Sequence, residues 1–342
     1  MNSRAFITGV SGLELTAEER EFIRSMRPWG FILFKRNIET PAQVIALVRE
    51  LRAAVGNHDA PVLIDQEGGR VQRMGPPHWP VYPPGAVFAA LYDIDPALGL
   101  SAARLSARLI AADLTEAGVT VDCLPLADVP VPGADAVIGN RAYGTEPVKV
   151  AAIARAVTEG LEQGGILPVL KHIPGHGRAT ADTHFRLPEI DTSKAELERT
   201  DFAAFQPLAD LPMAMTAHVV FSALDPAHPA TTSATIVHQV IRGVIGFQGL
   251  LMSDDVSMNA LSGSIAERTR AILAAGCDMV LHCNGKLDEM REVARETPEL
   301  SGKALERARR ALASRKAPQP FDRLKARAEL DVLVARAGTV GA

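Results

Sequence analysis

Short runs of apolar and β-branched residues recur along the chain: AFITGV (5–10), GFILF (30–34), APVLID (60–65), VTVDCL (119–124), ILPVLK (166–171), MAMTAH (213–218), GLLMSD (249–254) and CDMVLH (277–282). Each is nearly continuous in hydrophobicity, which suits strands buried on both faces of a parallel sheet. Segments with helical periodicity lie between them. TAEEREFIRSMR (16–27) opens on a threonine cap with acids in its first turn, and TPAQVIALVRELRAAVG (40–56) has Thr40 as cap, Pro41 at the first helical position and Gly56 as stop. The stretches 98–118, 147–165, 193–210, 233–246 and 263–276 follow the same pattern. Strand–helix alternation repeated eight times predicts an α/β fold, a (β/α)8 barrel. The rival, an open doubly wound sheet, would usually carry a G-x-G-x-x-G turn after its first strand, and GVSG (9–12) is not one.

No linker divides the chain. Residues 1–316 are expected to form a single barrel domain. The tail, with APQPFDRLKARAELDVLVARAG at 317–338, is expected to add a helix outside it as a C-terminal extension, 317–342. GPPHWPVYPPGA (75–86) reads as a long loop after the third strand.

Composition narrows the function classes. With 342 residues, 47% hydrophobic and 22% charged, the chain can bury a large core. A net charge of -4 without basic clusters argues against a nucleic-acid partner and against an anionic membrane surface. No apolar run approaches the roughly 20 residues that span a bilayer. MNSRAFITGV has no signal-peptide pattern, and three cysteines without a C-x-x-C pair suit reduced thiols, so a cytoplasmic location is expected.

In a barrel of this kind the chemistry sits at the C-terminal ends of the strands. Strand three ends in DQEGGRVQR (65–73), strand five in KHIPGHG, strand six at His218, strand seven in SDD (253–255) and strand eight at His282. Five of the nine histidines (172, 176, 184, 218 and 282) fall in or just after these ends. Asp254 is a candidate nucleophile, base or metal ligand. Asp255 is equally suited to capping the next short helix, VSMNAL. Asp182 and His184, two residues apart, form a carboxylate–imidazole pair able to shuttle protons near neutral pH, or simply a loop aspartate beside a solvated histidine. Gly68 and Gly69 permit a tight turn that projects Asp65 and Arg73; with no Lys-Ser/Thr after them, a phosphate loop is a weak reading. Arg70, Arg73 and Arg141 are ordinary surface arginines unless the mouth uses them to grip hydroxyls or an acid group.

KHIPGHGRATADTH (171–184) resembles the K-H-F-P-G-H-G-x4-D-S-H signature of bacterial β-N-acetylhexosaminidases of glycoside hydrolase family 3, the cell-wall-recycling NagZ type. DQEGGRVQR, GNRAYG (139–144) and LLMSDDVSM (250–258) resemble its other blocks in the same order, and the likeness spans about residues 5 to 315. Ile173 replaces the usual phenylalanine and Thr183 the usual serine. The resemblance implies a TIM barrel that removes terminal β-linked N-acetylglucosamine with retention of configuration. It implies Asp254 as nucleophile, His184 as acid/base paired with Asp182, and Asp65, Arg73, Arg141, Lys171 and His172 as sugar contacts, with His176 shaping the loop. It further implies a small carbohydrate substrate, N-acetylglucosamine linked to 1,6-anhydro-N-acetylmuramic acid. No metal or other cofactor is expected, and the chain is expected to act as a monomer. Alternatives stay open at this point: an N-acetylglucosamine phosphorylase or β-glucosidase of the same family, a metal-dependent hydrolase, and a sugar-binding barrel without catalysis.

Overall fold

The computed structural model describes residues 3–181, 183 and 186–338. Eight parallel strands close into a barrel in sequence order: β1 (Arg4–Thr8), β2 (Pro28–Leu33), β3 (Val62–Ile64), β4 (Val121–Asp122), β5 (Leu167–Ile173), β6 (Met213–Thr216), β7 (Leu250–Asp255) and β8 (Met279–His282), with β8 pairing back onto β1. Each lies within or beside one of the eight apolar runs.

Two cores explain why these strands are apolar on both faces. Ile7, Ile32, Leu63, Val169, Met252 and Leu281 belong to the cluster that fills the barrel interior. Their neighbours Phe6, Phe31, Ile64, Leu170, Leu251 and Val280 belong to the cluster between the barrel and its helices. Successive strand residues point to opposite faces, so parity decides which core a residue joins. That same parity runs on into the polar ends of the strands. Leu63 is followed two residues later by Asp65. Leu167 and Val169 lead to Lys171, and Leu250 and Met252 lead to Asp254.

The helix Ala17–Met26 starts in a capping box, in which Glu19 N donates to Thr16 Oγ1 at 3.1 Å and Thr16 N to Glu19 Oε2 at 2.9 Å. Pro41–Val55 begins with Thr40 as cap and stops at the left-handed Gly56. The helices Pro96–Glu116 and Pro147–Gln163 fall within about two residues of their expected bounds. Two expectations are corrected. The stretch 193–210 is not one helix: it breaks at Thr200 into Lys194–Arg199 and Asp201–Phe205, followed by a 3-10 turn at Gln206–Leu208. The cause is local. The Thr200 hydroxyl bonds Glu196 O at 2.7 Å and Asp201 Oδ2 at 2.8 Å, competing with the backbone ladder, and Pro207 brings no N–H. Within 233–246, Ile236–Val244 winds as a π-helix, whose wider turn the same apolar periodicity does not reveal.

The helix Arg323–Gly338 packs on the barrel's own helices Gly85–Ile94 and Pro96–Glu116. Among the described residues no helix is long and apolar enough to cross a membrane.

Candidate active site

A cavity of about 360 Å³ opens at the C-terminal end of the barrel. Its floor includes Ile32, Met215 and Leu281, the uppermost residues of the packed interior. The polar wall includes Asp65, Arg73, Arg141, Lys171, His172 and Asp254. The six sequence candidates that lie within the described residues are thus brought to one hollow. The other two, Asp182 and His184, lie outside the described residues. Thr183 between them is described: it lines the cavity and its carbonyl accepts from Ala260 N at 3.2 Å.

One wall is a chain of buried charges. Arg73 Nη2 meets Asp65 Oδ2 at 3.1 Å, and Lys171 Nζ meets Asp65 Oδ1 at 2.9 Å. Lys171 Nζ also lies 2.6 Å from Glu67 Oε1. Arg141 grips Glu67 with two parallel bonds, Nε to Oε2 at 2.8 Å and Nη2 to Oε1 at 2.7 Å. Burial alone would favour the neutral acids. Lys171 and Arg73 overcome it at Asp65, whose carboxyl is held well below the usual range, and Arg141 and Lys171 bring Glu67 down to about 2. Burial opposes the charge of Lys171, yet Asp65 and Glu67 hold its pKa above the ordinary lysine value. The chain is therefore fully ionised at neutral pH, with three cations against two carboxylates.

Asp65, Glu67 and Arg73 are presented by a two-stranded hairpin, Gln66–Gly68 with Val71–Gln72. Gly68 and Gly69 turn it with φ of 97° and 56°. A side chain at either would also collide with the 75–86 loop, since a Cβ on Gly68 would stand 2.4 Å from Pro83 O and one on Gly69 2.7 Å from Pro84 Cβ. Arg141 is no surface arginine; it comes from a 3-10 turn, Gly139–Arg141, and only 11% of its side chain is exposed.

A second group of polar residues comes from the ends of β5 and β7. The His172 ring Nδ1 lies 2.8 Å from Asp128 Oδ2, and Asp128 Oδ1 accepts from His176 N at 2.6 Å. Asp128 is fully buried, but the imidazole of His172 keeps it ionised. His176 also lines the cavity; burial and the neighbouring His172 push its pKa down to about 4, so it is neutral at physiological pH. Asp254 accepts from Asp255 N at 2.8 Å. Burial would raise its pKa, but the imidazoles of His218 and His172 and that backbone bond leave it below the ordinary value, a carboxylate charged and aimed into the hollow.

Asp255 does not cap a helix. It accepts from Ser257 N at 3.0 Å, Ser257 Oγ at 2.6 Å and Cys283 N at 3.1 Å, and the residues after it form turns. His218 is buried behind the wall, bonding Thr231 Oγ1 at 2.8 Å and Asp255 O at 2.9 Å. His282 is fully buried and faces Glu289 at 3.3 Å. Two residues of the site escaped the sequence reading, Glu67 and Asp128. Each had a signal. A lysine at an inward strand position requires carboxylates, and an aspartate in the apolar stretch CLPLADVP requires a buried partner.

An ionised carboxylate on a rigid strand, facing a charged wall able to bond several hydroxyls, suits nucleophilic or electrostatic work on a polar, ring-sized ligand. The family description "Glycosyl hydrolase family 3 N terminal domain" matches residues 7–313. A β-hexosaminidase from Alkalilimnicola ehrlichii is 40% identical over 282 residues, which cover 81% of this chain and 79% of that protein. One from Bordetella avium is 37% identical over 325 residues, covering 93% and 90%. Among solved structures, NagZ from Neisseria gonorrhoeae in complex with N-trifluoroacetyl-D-glucosamine superposes with a TM-score of 0.83 at 30% identity, over 100% of this chain and 99% of that one.

Proposed function

Because this chain belongs to glycoside hydrolase family 3, and within it to the β-hexosaminidases, we propose that it removes terminal N-acetylglucosamine from cell-wall fragments by double displacement through Asp254. The observation that carries this reading is the Asp254 carboxylate, ionised despite burial at the end of β7 and sharing one hollow with Asp65, Arg73, Arg141, Lys171 and His172. A nucleophile of this kind must be charged and fixed below the sugar ring, and a strand end fixes it better than a loop would.

In the first step Asp254 attacks C1 of the sugar and the bond to the leaving oxygen breaks, while His184 delivers a proton to that oxygen. In the second, neutral His184 takes a proton from water, the water oxygen bonds C1, and the carboxylate of Asp254 departs. An imidazole with a reference pKa of about 6.5 can do both near neutral pH. Asp182 stabilises its charged form. The charged wall binds the sugar hydroxyls, and the N-acylated glucosamine held by the Neisseria protein supports an N-acetyl sugar at this position. The substrate is the disaccharide of N-acetylglucosamine and 1,6-anhydro-N-acetylmuramic acid, met by a monomer in the cytoplasm.

A 5-fluoro-N-acetylglucosaminyl fluoride, followed by peptide mass spectrometry, tests the mechanism. A glycosyl adduct is expected on the peptide containing Asp254, and Asp254→Asn should lower turnover roughly 10⁴-fold or more. His184→Ala should cost far more with the natural disaccharide than with an activated aryl glycoside, which needs little protonation. No adduct together with an active Asp254→Asn variant sinks the double displacement. Sugar 1-phosphate formed in phosphate buffer would make the enzyme a phosphorylase instead, and equal rates on aryl β-glucoside would remove the N-acetyl specificity.

A further inference from the structure

The hairpin that carries Asp65, Glu67 and Arg73 is not held by the barrel alone. Gly69 N donates to Tyr82 O at 2.8 Å, and Tyr82 N donates to Gln72 Oε1 at 3.0 Å, so both ends of the hairpin turn are tied to one residue of the 75–86 loop. Tyr82 is buried, and its hydroxyl donates to Asp113 Oδ2 at 2.6 Å. Asp113 is itself buried on the helix Pro96–Glu116, and its other oxygen is paired with Arg323. Arg323 opens the C-terminal helix and also pairs with Glu116. One turn later, Arg327 lies 5.8 Å from the centre of the Tyr82 ring and bonds Val81 O at 3.3 Å through two nitrogens.

We propose that the C-terminal helix is part of the sugar-binding machinery: Arg323, through Asp113 and Tyr82, is a positioning residue for the hairpin that presents Asp65, Glu67 and Arg73. The physical argument is one of freedom. The hairpin has two short strands and two adjacent glycines, so its own ladder does little to fix it. Gln66 N ties its base to Asp122 Oδ1 at 3.0 Å and the wall's cations hold its carboxylates, while its turn is held by Tyr82, which is fixed at its hydroxyl by a buried carboxylate. Burial pushes the Asp113 carboxyl up, against the lowering exerted by the Tyr82 hydroxyl and the Arg323 guanidinium, so Arg323 is one of the two partners that hold it as an acceptor. Removing the guanidinium loosens that acceptor and, with it, the only link among the described residues between the Tyr82 hydroxyl and the helix layer. The tail thus acts on substrate binding without touching substrate.

This inference rests on the reading of the charged wall as the sugar site, and the experiment separates the two. N-acetylglucosamine binding is measured by calorimetry on the full chain, beside kcat and KM on an aryl N-acetylglucosaminide, for Arg323→Ala, Arg323→Lys, Glu116→Gln and Asp65→Asn. Arg323→Ala should weaken binding and raise KM by about 3- to 30-fold, the range of couplings carried through packed intermediates, with kcat nearly unchanged. Arg323→Lys should restore part of the loss, and Glu116→Gln, which removes only the exposed partner, should change neither constant. A tail that only stabilises the barrel would lower the unfolding temperature in Arg323→Ala and leave the binding constant alone, which would overturn the proposal. Should Arg323→Ala fail to fold, Tyr82→Phe removes the same link at its hydroxyl, and wild-type binding in that variant is equally fatal. If Asp65→Asn binds the sugar as the wild type does, the wall is not the sugar site and both readings fall; if it binds poorly while Arg323→Ala binds normally, only the role of the tail falls.

Discussion

Glu67→Gln tests the charged wall directly. The substitution keeps the shape and removes the charge that Lys171 approaches at 2.6 Å and Arg141 grips at 2.7 and 2.8 Å. A glutamine can accept from one of them, but its amide nitrogen is a donor facing donors. Breaking a buried ion pair from one side costs about 3–5 kcal/mol, because the stranded cations have already lost their water. For 342 residues at about 2.1 cal/mol/K each, the unfolding entropy is about 0.7 kcal/mol/K, so the loss corresponds to a fall of about 4–7 °C in unfolding temperature. The pH dependence has a definite sign. Glu67 ionises near 2 in the folded protein and near 4.5 otherwise, so its stabilisation is whole above pH 4.5 and is lost as pH falls through 2. At pH 3.5 the stability gap between wild type and variant should have narrowed by roughly 1.4 kcal/mol relative to pH 7. Urea unfolding at both pH values measures it, with KM at pH 7 expected to rise. A variant that unfolds within about 1 °C of the wild type, or a gap that is the same at both pH values, would refute the reasoning.

Two further expectations concern the walls and the turn. Asp128→Asn removes the charge that orients His172 and receives His176 N, so KM should rise by about tenfold or more with little change in kcat, and an unchanged KM would show that the imidazole needs no such partner. Gly69→Ala places a methyl group 2.7 Å from Pro84 Cβ at a φ of 56°; a destabilisation of about 1–3 kcal/mol should appear in urea unfolding, and a neutral effect would mean the 75–86 loop yields freely.

Much of this is legible in the sequence. A strand buried on both faces must be apolar throughout, and such runs are hard to mistake when helices separate them, so all eight barrel strands could be read. Parity then carries Asp65, Lys171 and Asp254 to the inside of the mouth. What could not be read depends on competition or on distant partners. The break at Thr200 arises from hydroxyl bonds that cost the periodicity nothing. The π-helix at Ile236–Val244 shares its apolar spacing with an ordinary helix. Glu67 and Asp128 leave only an indirect sign, the lysine at 171 and the apolar stretch around 128, and which cation and which imidazole they meet emerges only in the fold. Asp182 and His184 rest on the motif at 171–184 alone.

The packed layer of Ile32, Met215 and Leu281 beneath the cavity makes it a room with one door. A polymer cannot thread through the barrel, and whatever binds in the cavity must leave by the way it came. If the enzyme releases N-acetylglucosamine as proposed, the freed sugar competes with each newcomer for the threshold it has just crossed.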